Sequence, residues 1–345
     1  MPTDSTVASQ LAVSVIVPAR NEEACLAACL ESVVAQTGVA FEIIVVDDHS
    51  TDRTSEIAAS FPGVRVIDAG PLPAAWTGKN NAVTAGARAA HGQWLLFTDA
   101  DTVHLPGSLA RALAETKQRH ASMLSYSPEQ IVKGFWEKAV MPVIFAELAA
   151  NYRPAEVSDL NSHAAAANGQ YILIAREAYD AVGGHAAIAG DLLEDVALAR
   201  ALKQSGQSIF FRYGGDAVRT RMYRSFAQLR EGWTKNLALL FPSPASLAAW
   251  RTLEFLLILA GLAVLVPAAL ARDYFRIGLY VLVPFVTWRR IRRAHFSWDA
   301  NILAPFGLLL FSYLLLRSKR AHANGSIGWK GRRYSDGVGL LATGH

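Results

Sequence analysis

A chain of 345 residues that is 52% hydrophobic and only 18% charged is too apolar for an ordinary soluble protein and too long for one small domain. Its net charge of +4 hides a division: residues 251–345 carry 13 Lys/Arg against 4 Asp/Glu, a net of +9, so residues 1–250 are acidic. The cations flank apolar runs instead of lining a polar face with interleaved aromatics, which fits a membrane surface and argues against a nucleic-acid partner.

Residues 1–10 hold no basic leader, and the apolar stretch 11–17 is too short for a secretory signal, so the first domain is expected to stay cytoplasmic. Residues 13–17 (VSVIV) read as a strand broken by Pro18, and 22–36 as a helix. That helix holds the only two cysteines, Cys25 and Cys29, which lack partners for a metal site or disulfide framework and are expected as buried, reduced thiols. A strand over 41–46 (FEIIVV) runs into Asp47-Asp48-His49-Ser50-Thr51-Asp52, and a helix (53–61) and a strand (64–67) follow. Residues 80–90 read as helix and 94–98 (WLLFT) as a strand ending at Asp99-Ala100-Asp101. Strands alternating with helices predict an α/β, Rossmann-like doubly wound sheet. Further on, 134–150 reads as an amphipathic helix, 170–175 as a strand, 191–204 as a helix with an acidic start and 208–213 as a strand.

Three apolar runs come last, 253–270, 274–288 and 302–316. The first is long enough to span a bilayer and the other two are marginal. Arg289, Arg290, Arg292 and Arg293 argue for a cytoplasmic loop between the second and third. Two spans, with the third run re-entrant or interfacial around Pro305 and Gly307, reconcile that loop with the basic tail. The expected organisation is a cytoplasmic domain over 1–250, a membrane anchor of two to three helices over 251–320 and a basic tail over 321–345. The expected location is the inner membrane, multi-pass.

In open α/β sheets, ligands bind beyond the carboxyl ends of the strands. Three strands here end in polar clusters: 18–22, 47–52 and 99–101. No G-x-G-x-x-G follows the first strand, which removes the best signal of a dinucleotide-binding domain, and no P-loop or G-x-S-x-G elbow marks a kinase or common hydrolase. Asp99 and Asp101, one residue apart at a strand end, can hold a hard divalent ion, Mg²⁺ or Mn²⁺, that keeps positions open for a substrate diphosphate. The same D-x-D pattern also describes many surface turns. Asp47 and Asp48 can receive the imide and ribose donors of a nucleotide, while Ser50, Thr51 or Asp52 caps the following helix. His49, His163 and His185 are not spaced as a zinc set and read as surface or structural residues.

Taken together, Pro18-Ala19-Arg20-Asn21-Glu22, VVDDHSTDRT at 45–54 and TDAD at 98–101 resemble family 2 glycosyltransferases of the GT-A fold over roughly residues 11–240. Trp76-Thr77-Gly78-Lys79-Asn80 resembles the W-x-G-K-N stretch of lipid-directed members, the ceramide, hopanoid and carotenoid glycosyltransferases, and Trp329-Lys330-Gly331-Arg332 resembles bacterial ones. Gly169-Gln170 and Gly183-Gly184-His185 resemble acceptor-side loops, and Glu194-Asp195 the pair that supplies the catalytic base. The stretch 228–233 is similar to a Q-x-x-R-W element, but two residues separate Arg230 from Trp233.

The resemblance implies an inverting transfer from a nucleotide-sugar donor, a UDP-sugar first, to a membrane lipid hydroxyl. It implies that Pro18, Arg20, Glu22, Asp47, Asp48, Lys79 and Asp99 face the donor and that Asp99 and Asp101 hold the metal. Asp195, with Glu194, is then the base, and Arg230 and Trp233 serve phosphate and sugar; helix-dipole placement of Asp195 and interfacial anchoring by Arg230 and Trp233 are the alternatives. Transfer to a polyprenyl phosphate, a membrane nucleotidyltransferase and a non-catalytic scaffold are the rival functions.

Overall fold

Strands buried on both faces lose the polar–apolar alternation of surface strands, which is why 13–17 and 41–46 are apolar but for Ser14 and Glu42, which hydrogen-bond each other. The computed structural model describes residues 11–334. In chain order its elements are β1 (Val13–Ala19), α1 (Leu26–Val34), β2 (Phe41–Asp47), α2 (Thr54–Ala59), β3 (Val64–Asp68), α3 (Gly78–Ala89), β4 (Trp94–Phe97), β5 (Thr102–His104), α4 (Ser108–Gln118), β6 (Met123–Ser127) and β7 (Glu129–Gln130). There follow α5 (Phe135–Asn151), α6 (Pro154–Ser158), β8 (Ile172–Ala175), α7 (Arg176–Ala181), α8 (Gly184–Ala187), α9 (Glu194–Gln204), β9 (Ile209–Tyr213) and β10 (Val218–Thr220). The chain closes with α10 (Phe226–Leu240), α11 (Pro244–Leu270), α12 (Tyr274–Ile291), α13 (Trp298–Ala323), β11 (Ile327–Trp329) and β12 (Arg332–Tyr334). The described residues form two compact units, 11–129 with 154–220, and 130–153 with 221–334.

The first unit is built on a seven-stranded sheet of order β3-β2-β1-β4-β8-β6-β9. It is mixed: β8 runs antiparallel to both β4 and β6, and the other pairs are parallel. Val13, Val15, Ile16 and Val17 on β1 are fully buried, so the central strand is covered on both sides. Helix α3 lies hard against that strand, because a Cβ on Gly86 would come within 2.5 Å of Ile16 Cγ2 and 3.0 Å of Val46 Cγ2. That contact brings the start of α3 down beside the carboxyl ends of β1 and β4. Both cysteines are free, and burial pushes the Cys29 thiol up to about 12, as an inert core residue requires.

The second unit is helical, with a core of Val140, Met141, Ile144, Trp233, Leu237, Leu308, Phe311 and Leu315 among others. Its tightest crossing is α5 on α13. A Cβ on Gly307 would lie 1.9 Å from the Ala139 carbonyl oxygen, so the two backbones touch where only glycine fits. Helix α13 runs unbroken through Pro305 and Gly307, and Gly307 serves helix packing. Two helices, Pro244–Leu270 and Trp298–Ala323, are long and apolar enough to cross a membrane, the second half-buried against its own unit. Tyr274–Ile291 between them does not reach that length and apolarity. The end of the unit is a hairpin whose turn places Lys330 and Gly331 at positive φ and whose Trp329 ring lies 5.1 Å from Lys235 Nζ.

Candidate functional site

The loops after β1 and β2 are sewn together by short polar side chains. Arg20 Nη1 donates to the Asp48 carbonyl at 2.6 Å, Thr51 N donates to Asn21 Oδ1 at 2.8 Å, and Glu22 N donates to Thr54 Oγ1 at 2.7 Å. Asn21 and His49 take positive φ, tolerated at such turns by Asn and His. Asp52 does the capping, its carboxylate accepting from Thr54 N at 3.0 Å. Asp47, at the mouth of β2, accepts from Ser50 N at 3.3 Å, and the buried Asp48 has its Oδ1 3.4 Å from His49 Nδ1.

Three elements deliver charge to one place. Helix α3 is capped by Thr77, whose hydroxyl accepts from Asn80 N at 3.1 Å, and its first turn projects Lys79. Lys79 Nζ lies 2.7 Å from Asp99 Oδ1, at the end of β4, and 2.7 Å from Glu194 Oε1, at the start of α9. Beside Glu194, Asp195 accepts from the backbone N–H of Gly169 at 2.9 Å and of Val196 at 2.8 Å. Gly169 leaves room there, since a Cβ would stand 3.1 Å from both Lys79 Nζ and Glu194 Oε1 and would make them give by tenths of an ångström. Pro18, Thr98, Phe97, Ile172 and His185 complete the walls of the small cavity around this cluster.

The electrostatics follow from crowding three acids and one cation at the rim of the core. Burial works against the Lys79 ammonium, but Asp99 and then Glu194 outweigh it and hold its pKa well above the ordinary lysine value. Burial, and next the charge of Glu194, push Asp195 up to about 6, against the pull of Lys79 and the two backbone N–H groups. A carboxylate with that pKa is charged at neutral pH yet basic enough to take a proton.

Asp99 and Asp101 suit a hard divalent cation by their chemistry and by their place at a sheet's carboxyl edge. Among the described residues no cluster of three His, Cys, Asp or Glu side chains accompanies them. Mg²⁺ and Mn²⁺ fit two carboxylates with the remaining oxygens drawn from water and phosphate, so the pair fits the ion.

Residues 14–183 match the family described as glycosyl transferase family 2. The chain carries a family 2 glycosyltransferase domain. The 4,4'-diaponeurosporenoate glycosyltransferase of Staphylococcus aureus strain USA300 is 28% identical to the transferase over 339 residues, covering 94% of this chain and 88% of that one. The same-named protein of strain MRSA252 is 29% identical over 340 residues, with equal coverage. Among solved structures, a mannosyltransferase from Pyrobaculum calidifontis in complex with GDP-Man and Mn²⁺ superposes with a TM-score of 0.53 at 18% identity, over 90% of this chain and 86% of that one. That likeness supports the GT-A fold of the first unit.

Of the residues expected at the transferase site, Lys79, Asp99, Glu194 and Asp195 stand together, with Pro18 on the cavity wall. Arg20 through its guanidinium and Glu22 through its backbone N–H lace the β1 and β2 loops. Arg230 and Trp233 belong to the helical unit, where Trp233 is 2% exposed, donates from Nε1 to Met141 Sδ at 3.3 Å and packs on Phe145 and Tyr223. His185, expected as a surface or structural residue and, by resemblance, in an acceptor-side loop, lines the cavity. Gly183 and Gly184 at positive φ turn the chain so that His185 N donates to Tyr179 Oη at 3.0 Å and the ring Nδ1 meets the same oxygen at 3.0 Å. Burial lowers the His185 pKa to about 4, so the ring is neutral. The G-G-H spelling was the available signal for that turn.

Proposed function

We propose that this transferase moves a sugar from a nucleoside-diphosphate donor, a UDP-sugar first, to a membrane lipid hydroxyl with inversion at the anomeric carbon. The observation that carries the reading is Lys79, which bridges Asp99 at the donor-side strand end to Glu194 beside Asp195. One cation thus ties the group that meets the diphosphate to the group that meets the acceptor.

In this reading Asp47 and Asp48 take the nucleoside, and Lys79 stabilises the diphosphate as its negative charge grows. Asp99 and Asp101 would hold Mg²⁺ or Mn²⁺, which supplies further charge neutralisation to the departing diphosphate. Asp195 takes the acceptor proton as the oxygen attacks, and Gly169 N and Val196 N keep its two oxygens oriented. Direct attack from the face opposite the leaving diphosphate gives inversion. The apolar helices Pro244–Leu270 and Trp298–Ala323 are long enough to attach the chain to a membrane, where a lipid acceptor would be met; in this reading that membrane is the inner one and the first unit is cytoplasmic.

A second reading is favoured by the name of the staphylococcal relative, whose suffix denotes a carboxylate. A lipid carboxylate is already ionised at neutral pH and needs no base, so Asp195 would be dispensable for such an acceptor. Purified transferase in detergent, offered a panel of nucleotide sugars with a bacterial lipid extract, tests both readings. Release of nucleoside diphosphate from one donor, stimulated by lipids, is expected. Release of pyrophosphate instead would move the assignment to nucleotidyl transfer, and failure to bind any donor would move it to a scaffold.

A further inference from the structure

The acids Glu194 and Asp195 follow a segment, 188–193, that has no regular structure of its own. Its position depends on what it is tied to. One tie is the side chain of Asn80, on the first turn of α3 and 0% exposed. The two N–H groups of Asn80 Nδ2 serve three backbone carbonyls of that segment, one N–H being shared: Ile188 at 2.9 Å, Ala189 at 2.9 Å and Asp191 at 3.0 Å. Thr77 N adds a fourth bond, to the Ala189 carbonyl at 2.8 Å. At its other end the segment leaves the Gly183-Gly184 turn, pinned through Tyr179.

We infer that Asn80 is a positioning residue for the acceptor-side acids: its amide gathers three carbonyls of 188–191 onto α3, and this sets where Glu194 and Asp195 stand relative to Lys79. An amide is required because three converging carbonyl oxygens repel one another unless hydrogen-bond donors sit among them. Aspartate, the same shape, offers only acceptors and turns the clamp into a repulsion. The adjacent residue Lys79 bonds to Glu194, so the same helix turn holds the segment and the acid it carries. The donor-side pair Lys79–Asp99 does not pass through the Asn80 side chain.

The inference rests on the reading of Glu194 and Asp195 as acceptor-side acids, so its test separates the two. Full-length transferase and its Asn80→Asp, Asn80→Ala and Asp195→Asn variants are compared by hydrogen–deuterium exchange and by steady-state kinetics. In Asn80→Asp, amides of 188–193 are expected to exchange faster while those of the β1, β2 and β4 strands do not change. Donor KM is expected to stay within about 2-fold while kcat falls about 100-fold, the scale of misplacing a reacting group by an ångström. Asn80→Ala, which removes the donors without adding charge, is expected to give the same split more weakly, and it serves if the aspartate variant does not fold. Unchanged exchange in 188–193, unchanged kcat despite faster exchange, or equal loss of donor KM and kcat with exchange rising throughout the unit would each overturn the inference. Wild-type turnover by Asp195→Asn would instead remove the acid assignment, and the exchange data would still report whether Asn80 holds the segment.

Discussion

The backbone N–H of Gly169 donates to Asp195 Oδ2 at 2.9 Å, so a residue just ahead of β8 orients an acid at the start of α9. The same glycine leaves the space in which Lys79 Nζ and Glu194 Oε1 meet. Asp195 is thereby held by main chain on one side and charged on the other, and most of the expected behaviour of the site follows from that.

Asp195 should impose a pH dependence with two opposite signs. As a base it must be ionised, so kcat/KM toward a hydroxyl acceptor is expected to fall about tenfold per unit below its pKa of about 6. Stability runs the other way. The folded pKa lies above the unfolded one, so the native state binds the extra proton between about pH 4 and 6 and stability drops as pH rises through that window. Asp195→Asn should therefore stop hydroxyl transfer and raise Tm at pH 7, measurable by differential scanning fluorimetry beside the pH–rate profile.

Replacing Lys79 by Gln leaves Asp99 and Glu194 facing each other without their cation. Donor affinity measured by calorimetry is expected to weaken about 10- to 100-fold, the worth of a charge-assisted hydrogen bond at roughly 1.5–3 kcal/mol. Arg at the same position should not rescue it, since a planar guanidinium cannot place one point charge 2.7 Å from both carboxylates.

Gly169→Ala adds a methyl 3.1 Å from Lys79 Nζ and Glu194 Oε1 and 3.5 Å from Asp195 Oδ2. Neighbours that must give by tenths of an ångström preserve the fold but spoil alignment. Turnover should drop about tenfold, equivalent to about 1.4 kcal/mol of barrier, with Tm nearly unchanged.

In the helical unit, Gly307→Ala drives a methyl into the Ala139 carbonyl, a backbone atom with nowhere to go. A loss at the upper end of the roughly 1–3 kcal/mol cost of overpacking is expected, seen as a lower Tm in detergent. Gly278→Ala, with nothing within 4 Å of the new methyl, is the control and should be neutral or stabilising by up to about 1 kcal/mol through helix propensity.

Much of the first unit was legible from its apolar strands. The strands at 13–19, 41–47 and 94–97 are mostly apolar, and the acids at the ends of the second and third point to the candidate site. Thr102–His104 and Met123–Ser127 were not legible, because a three-residue strand and a strand with Ser125 and Ser127 carry no clear period. The antiparallel insertion of β8 is set by long-range pairing that local pattern cannot express. Asp195 was named from its neighbourhood in sequence, whereas its restraint by Gly169, and that of 188–191 by Asn80, joins residues 26 and about 110 positions apart. Trp233 misled because a tryptophan in a motif-like context reads as a ligand platform; its ring is a core residue packed on Phe145. The packing role of Gly307 was not legible, because its partner, Ala139, is far away in the chain.

The central claim is that one site joins a nucleotide-sugar donor to a lipid through Asp195. The most direct test is to incubate the full-length protein in nanodiscs with a sugar-labelled UDP donor, divalent metal and a lipid extract, and to follow label into the organic phase for wild type and Asp195→Asn. The account requires a labelled glycolipid from wild type, with inverted configuration by NMR, and none from the variant with hydroxyl lipids. Label that stays in water for wild type, or equal glycolipid formation by both proteins from a hydroxyl lipid, would contradict it.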